Sequence, residues 1–141
     1  MEKACIIYGS ITGTTEKLAL MLADAIRDRY DVTVRNALDA VPEDVETADL
    51  ILLGSSTWGV GDLQMDMIPV NDFIRTMDLR TKRAAVFGKG DSEYKRFCAA
   101  VITLERSLKA AGARLIQKGY RCDKHLDGLA QERLRKWASG L

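Results

Sequence analysis

Apolar residues follow two patterns that alternate along the 141-residue chain. Short unbroken apolar runs, clearest at 50–53 and 84–87, are typical of strands that are covered on both faces, as in a parallel sheet. Between these runs, apolar residues recur every three or four positions, which predicts amphipathic helices. The strands predicted from this alternation are Lys3–Tyr8, Asp31–Asn36, Leu50–Gly54, Arg83–Gly88 and Ala113–Lys118.

Four helices are expected between and after these strands. The first begins near Thr14, and Gly112 ends the third in the way that glycine commonly ends helices. The short acidic segment 37–48 is predicted to be a surface connection with little regular structure. This alternation predicts an α/β fold in one domain, residues 1–141, with a doubly wound five-stranded parallel sheet. The apolar faces of the helices are Leu18, Leu22, Ala25 and Ile26; Val70, Ile74 and Met77; Phe97, Val101, Leu104, Leu108 and Ala111; and Leu126, Leu129, Leu134 and Trp137.

Composition narrows the classes of function. The formal net charge of +1 predicts no strong field for nucleic acid or a membrane, and no apolar run approaches the roughly 18 residues of a membrane-spanning helix. Cys5, Cys98 and Cys122 are odd in number and scattered, which favours free thiols in a reducing compartment and therefore a cytoplasmic protein. With one histidine, His125, and no Cys-x-x-Cys pair, no metal site is expected.

The segment 9–16 links the first predicted strand to the first predicted helix. It contains four hydroxyl side chains, and its Gly13 allows a tight turn. A helix N-terminus directs backbone N–H groups and the positive end of its dipole at the space in front of it. We therefore predict a phosphate site here, in preference to simple helix capping, which needs only one hydroxyl. Neither the Walker pattern nor the dinucleotide pattern is present. The four hydroxyls belong to Ser10, Thr12, Thr14 and Thr15.

Two further loops are predicted at the same edge of the sheet. In a doubly wound sheet, ligands bind beyond the carboxyl ends of the strands, where the strand order reverses. The loops that follow the third and fourth predicted strands each contain one aromatic residue among glycines, Trp58 in one and Tyr94 in the other. Two such aromatics beside a phosphate site predict a clamp for a planar ring that carries a phosphate.

Three motifs together resemble the short-chain flavodoxins, particularly those of sulfate-reducing bacteria. They are Ser-x-Thr-Gly-x-Thr at 10–15, Ser-Thr-Trp-Gly at 56–59 and Gly-Asp-x-x-Tyr-x-x-Phe-Cys at 90–98, and the resemblance extends over the whole chain. It implies a flavodoxin-like three-layer sandwich with strand order 2-1-3-4-5 and an uninterrupted fifth strand. It also implies one non-covalent FMN, low-potential one-electron transfer between redox proteins, no catalysis of its own, and a monomer.

The resemblance further implies a role for each site residue. The loop 10–15 and the Ser56 hydroxyl would hold the phosphate. Trp58 would cover the inner face of the flavin, Tyr94 would stack on its outer face, and Gly59 would turn its carbonyl toward the ring on reduction. The complete set expected to bind FMN is Ser10, Ile11, Thr12, Gly13, Thr14, Thr15, Ser55, Ser56, Thr57, Trp58, Gly59, Gly88, Lys89, Gly90, Asp91, Tyr94, Phe97 and Cys98.

The chain departs from that family pattern in its charge. Val60 stands where an acidic residue is common, and Ile11 replaces a frequent threonine. The third loop carries three cations, and the chain as a whole is near neutral where the family is typically acidic. These changes bear on the flavin potential and on the choice of partner. The three cations are Lys89, Lys95 and Arg96.

Three alternative functions were weighed against an electron carrier. An FMN-dependent quinone or nitro reductase of the same fold stays open. A phosphoacceptor receiver domain needs acidic residues after the first and third strands, where this chain has Tyr8-Gly9-Ser10 and Gly54-Ser55 instead. A module that has lost FMN is disfavoured by the intact pair Trp58 and Tyr94.

Overall fold

The computed structural model describes residues 1–9, 13–58, 62–63, 65–89, 99–122 and 128–141, with the backbone alone at 57–58, 62–63 and 89. Strands and helices alternate along this part of the chain, as predicted. They are β1 Glu2–Gly9, α1 Thr14–Ile26, β2 Tyr30–Asn36, α2 Pro42–Glu46, β3 Leu50–Trp58, β4 Asp62–Leu63, α3 Met67–Thr76, β5 Arg83–Lys89, α4 Ala99–Ala110, β6 Arg114–Leu115, β7 Tyr120–Cys122 and α5 Gly128–Ala138.

The sheet has the strand order β2-β1-β3-β5-β6, with β7 also paired to β5. These pairings are all parallel, whereas β4 pairs with β3 in the antiparallel sense. Counted as five parallel positions, the order is the predicted 2-1-3-4-5, and the doubly wound α/β fold is confirmed. Since parallel strands need crossover connections, the helices necessarily lie on the two faces of the sheet.

Each face of the sheet is buried against its own set of helices. Alternate residues of β1 point to opposite faces, so Ile6 belongs to the core under α1 and α5, while Ile7 belongs to the core under α2, α3 and α4. Leu52 and Leu53 divide in the same way on β3. The unbroken apolar runs are therefore explained by burial on both sides, which produces the three-layer sandwich.

The prediction of one uninterrupted fifth strand, Ala113–Lys118, is wrong. Two short strands, β6 and β7, pair with the beginning and the end of β5 and are separated by residues 116–119. Within the gap, the Ile116 N–H still donates to the Ala84 carbonyl of β5 at 3.0 Å. The next two residues bond to the last helix instead: Trp137 donates its Nε1–H to the Lys118 carbonyl at 2.6 Å, and the Gln117 side-chain amide donates to the Trp137 carbonyl at 2.7 Å. An added Cβ on Gly119 would lie 2.4 Å from Val101 Cγ1, so α4 also packs directly on this backbone.

Two smaller expectations are also corrected. The acidic segment contains a short helix, α2, because Pro42 suits the first helical position and Asp44 Oδ2 accepts the Val41 N–H at 2.9 Å, while Val45 is fully buried. Leu129 was predicted on the buried face of the last helix, but it is 53% exposed. Leu134 occupies the buried position in α5 as predicted.

Gly112 ends α4 as predicted. Its φ is +97°, in the left-handed region that favours glycine. Its N–H donates to the Lys109 carbonyl and the Ala113 N–H donates to the Leu108 carbonyl, both at 3.0 Å. This pair of hydrogen bonds is the Schellman motif, which satisfies carbonyls that the helix itself leaves without partners.

Gly112→Ala should lower the free energy of unfolding by about 1–3 kcal/mol, because alanine is strained at positive φ. An added Cβ would also lie 2.6 Å from Arg80 Cγ. Gly128→Ala is the matched control, since no atom lies within 4 Å of its added Cβ and its φ is not positive. Urea unfolding followed by circular dichroism measures both variants. Equal losses would contradict this account of the helix end.

The buried thiol of Cys5 should make the stability of the folded protein depend on pH in the alkaline range. Burial raises the pKa of its thiol from 9.0 to about 12, the Asp44 carboxylate adds to the rise, and Arg35 opposes it. The unfolded chain therefore releases this proton at a lower pH than the folded protein does. The free energy of unfolding should fall between pH 9 and 12, with a slope that approaches about 1.4 kcal/mol per pH unit. Cys5→Ala, measured in reducing buffer, should flatten that slope; an unchanged slope would exclude Cys5 as its source.

Candidate functional site at the carboxyl edge of the sheet

The parallel registers bring the carboxyl ends of three strands together. Gly9 at the end of β1 is paired with Ser55 on β3, and Ser55 is paired in turn with Gly88 on β5. The three loops singled out from the sequence therefore begin from one line of neighbouring residues. Because adjacent strands lie about 4.8 Å apart, this line spans roughly 10 Å.

The N-terminus of α1 lies at this edge, after a glycine in a left-handed conformation. Gly13 has φ +86°, and its carbonyl accepts the Lys17 N–H at 3.0 Å, which is the first turn of the helix. Among the described residues, no atom lies within 4 Å of a Cβ added to Gly13. The described part of the chain therefore leaves space beside a helix N-terminus, where N–H groups and the helix dipole favour an anion.

Two hydroxyls from different parts of the chain meet at this helix terminus. The Oγ1 of Thr15 lies 2.8 Å from the Oγ of Ser56, although the two residues are 41 positions apart. Thr15 is fully buried, as is Ser55, whose Oγ donates to the Ser56 carbonyl at 2.8 Å. The pair fastens the first turn of α1 to the end of β3. Both hydroxyls are suited to bind an oxyanion, since each can donate one hydrogen bond.

Gly88 has a packing role that the sequence did not reveal. A Cβ added to it would lie 2.5 Å from Val101 Cγ2 and 3.0 Å from the Ser55 carbonyl oxygen. The absence of a side chain therefore lets α4 and β3 approach the end of β5 closely. On the neighbouring strand, a Cβ on Gly54 would lie 2.2 Å from the ring of Phe87. Both glycines thus allow the central strands to end in a compact edge.

A polar cluster that the sequence analysis missed adjoins the helix terminus. Tyr8 lies at the end of β1 and is 8% exposed. Burial raises the pKa of its phenol, and the carboxylate of Glu16, which lies in the first turn of α1, raises it further. Hydrogen bonding with Asn36 acts in the opposite direction. Tyr8 was read as the last residue of an apolar run, so only its position directly before the glycine-rich loop could have identified it.

The predicted site residues divide into three groups. The structure brings together Gly13, Thr14, Thr15, Ser55, Ser56 and Gly88 at the carboxyl edge. Thr57 and Trp58 at the end of β3 and Lys89 at the end of β5 are placed by their backbone. Residues that lie outside the described part of the chain are Ser10, Ile11, Thr12, Gly59, Gly90, Asp91, Tyr94, Phe97 and Cys98.

The end of β3 forms part of a hairpin. Thr57 pairs with Leu63 and Trp58 pairs with Asp62, in the antiparallel sense. The predicted strand Leu50–Gly54 is therefore four residues too short.

Within the described residues, no three His, Cys, Asp or Glu side chains group closely enough to hold a metal ion. In the same part of the chain, no helix is both long enough and apolar enough to cross a bilayer.

Comparisons with known proteins agree with this arrangement. The family model described as Flavodoxin matches residues 6–137. The flavodoxin of Maridesulfovibrio salexigens is 36% identical, over 100% of this chain and 97% of the relative. The flavodoxin of Nitratidesulfovibrio vulgaris is 34% identical, over 87% of this chain and 86% of the relative.

Solved structures agree as well. A flavodoxin of Streptococcus pneumonia TIGR4 superposes with a TM-score of 0.93 at 31% identity, over 98% of this chain and 96% of that one. A short-chain flavodoxin associated with a PDU bacterial microcompartment gives a TM-score of 0.95 at 26% identity, over 100% and 97% of the two chains.

A double-mutant cycle tests the hydroxyl pair. Thr15→Val and Ser56→Ala should together cost less than the sum of the two single changes, by about 0.5–1.5 kcal/mol, because the pair shares one hydrogen bond. The measurement is urea unfolding in phosphate-free buffer.

The control cycle combines Ser56→Ala with Thr47→Val. Thr47 donates to the Glu43 carbonyl and precedes β3 at its opposite end. Asp49, which lies between Thr47 and β3, is seven residue steps from Ser56 along extended chain, a distance of about 23 Å. Thr47 is therefore too far from Ser56 to interact with it directly. This cycle should show no coupling. Coupling of similar size in both cycles would show that the effect is not the local hydrogen bond.

Proposed function

This chain belongs to the flavodoxin family, and on that basis we propose that it carries one electron at a time between redox proteins by means of a single non-covalently bound FMN. Flavodoxins are electron-transfer proteins rather than enzymes, and the resemblance seen in the motifs is confirmed by the comparisons. The observation that carries the proposal is the convergence of the α1 N-terminus with Ser56 at the carboxyl edge of the central strands. FMN supplies the redox chemistry, and the protein supplies binding and electrostatics.

The phosphate is proposed to lie in front of α1. The Thr15 and Ser56 hydroxyls are 2.8 Å apart, so both can donate to one phosphate group after a modest separation. Among the described residues, no atom obstructs the approach to the first turn at Gly13. The neighbouring carboxylate of Glu16 repels an anion. This carboxylate is hydrogen-bonded to the phenol of Tyr8, so part of its negative charge is offset within the protein. Binding then rests on N–H groups, hydroxyls and the helix dipole.

The ring is proposed to lie between the loops that follow β3 and β5. In this assignment Trp58 covers its inner face and Tyr94 its outer face, with Thr57, Gly59, Asp91 and Cys98 along the ring edge. The assignment is supported by β3 and β5, which end side by side, with Ser56 paired to Lys89. Flat aromatic side chains suit this role because they exclude water from both faces of the ring.

We further propose that the elements act as one FMN-binding domain in a cytoplasmic monomer. Within the described residues, Cys5 is a free and buried cysteine, which suits a reducing compartment. An FMN-dependent reductase is the less favoured alternative, since the relatives that match over nearly the whole chain are named flavodoxins.

The chain should bind FMN at least about a hundredfold more tightly than riboflavin. Each charge-assisted hydrogen bond to the phosphate contributes roughly 1.5–3 kcal/mol, and riboflavin forms none of them. Quenching of flavin fluorescence on titration with apoprotein measures both affinities.

A variant and its control locate the source of this preference. Thr15→Val should narrow the difference between FMN and riboflavin, whereas Thr47→Val at the opposite end of β3 should leave it unchanged. Equal affinities for the two flavins would remove the proposed phosphate site. Rapid NADPH oxidation by the isolated FMN-loaded protein would instead support the reductase.

A further inference from the structure

The near-zero net charge conceals a strong separation of charge along the chain. Residues 37–49 contain five acidic residues and no lysine or arginine. Residues 99–122 contain five basic residues and one acidic residue, Glu105. We refer to these five basic residues as the basic edge: Arg106, Lys109, Arg114, Lys118 and Arg121.

The two charged segments occupy different connections of the fold. The acidic segment follows β2, which is one outer strand, and leads to β3 in the middle of the sheet. The basic edge lies on α4, which packs against β3 and β5, and on β6, β7 and the connection between those two strands. The cations of β6, β7 and their connection therefore lie at the outer position of the sheet that is furthest from β2.

The cations of the basic edge are exposed and available. All five side chains are exposed, and within the part of the chain that the structure describes none of them forms an ion pair. Other arginines behave differently: Arg27, Arg35 and Arg83 lie within 4 Å of Asp24, Asp44 and Glu2 respectively. Cations that have no ion-pair partner among the described residues keep their charge available to an approaching molecule.

The basic edge is continuous with the candidate site and is held in place. Arg121 lies on β7 in register with Gly88, and the buried residues Tyr120 and Cys122 flank it. The backbone of Lys118 is fixed through the hydrogen bond from Trp137 Nε1. A partner that contacts this edge therefore lies beside the end of β5, where the third site loop begins.

We propose that the basic edge is the docking surface for a redox protein whose own docking face is rich in carboxylates. The proposal rests on the electron-carrier function above and names the class of partner. Opposite charges steer such a partner to the edge nearest the site and orient it there.

A protein partner is favoured over nucleic acid by the surface itself. Single-stranded nucleic acid binds where exposed aromatic rings accompany positive charge. Within the described part of this edge, Tyr120 is buried and the Trp137 ring packs against it, with centroids 5.8 Å apart. Because Tyr120 is buried and Trp137 is half-buried, neither ring is a fully exposed platform on which bases could stack.

The test is a titration of the ¹⁵N-labelled protein with cytochrome b5 as an acidic probe and cytochrome c as a basic probe, at roughly 20 and 200 mM salt. Cytochrome b5 should perturb amides of β7 and α4, and binding should weaken at the higher salt. Lys118→Glu/Arg121→Glu should weaken that binding about tenfold, and the glutamine pair Lys118→Gln/Arg121→Gln by a smaller factor. The glutamine pair also guards against misfolding of the first variant.

Arg27→Glu/Arg75→Glu is the control, because it changes the net charge by the same amount at exposed positions elsewhere. It should change binding less than twofold. Equal weakening by both glutamate pairs, or a preference for cytochrome c, would overturn the proposal. So would an oligothymidylate, dT10, that shifts the same amides under conditions where cytochrome b5 does not.

Titrations with and without FMN separate this proposal from the proposed function. If the chain fails to bind FMN but cytochrome b5 still perturbs β7, the electron-carrier function fails and the basic surface stands. If FMN binds and cytochrome b5 perturbs other residues or none, only the docking surface is wrong.

Discussion

The parallel register of β1, β3 and β5 is the constraint on which the rest of the molecule depends. It places Gly9, Ser55 and Gly88 side by side at one edge. The register is fixed by burial on both faces, since a shift of one residue would exchange Ile6 and Ile7 between two cores that are packed against different helices. Core packing therefore decides where the loops begin, and with them the position of the site.

At this edge, binding capacity and structural stability use the same groups. Thr15 and Ser56 bond to each other at 2.8 Å and are also the hydroxyls best placed to meet a phosphate. A ligand must therefore offer each hydroxyl a better partner than the other hydroxyl provides. A phosphate does so because hydrogen bonds to charged acceptors are roughly twice as strong as those between neutral groups. The pair thus favours a charged ligand over a neutral one, and without a ligand it keeps α1 attached to β3.

Sequence patterns predicted those elements that depend on the residue types within the element itself. The runs 50–53 and 84–87 predicted two-sided burial, and Gly112 predicted a helix end. The predictions failed where structure depends on distant partners. β3 continues beyond Gly54 because Ser55 and Ser56 pair with the ends of β1 and β5, and because Asp62 and Leu63 pair with its last two residues. The fifth strand is divided where Trp137 and Val101 pack on its backbone. The same holds for the site. Its hydroxyl residues could be predicted from the motifs, but the contact between Thr15 and Ser56 could be seen only in the folded structure.

Net charge describes this molecule poorly because electrostatic interactions in salt are local. At physiological ionic strength the screening length is about 8 Å. A partner at the basic edge therefore responds mainly to the charges nearest to it. Arg121 lies on β7 in register with Gly88, at the strand end where the third site loop begins. One unit charge at about 8 Å contributes roughly 2 kcal/mol at an effective dielectric of 20, and less under screening. If the basic edge is the docking surface, as proposed, the charge that attracts an acidic partner would also favour an added electron at the adjoining site. Partner choice and reduction potential would then be coupled in a chain whose overall charge of +1 suggests neither.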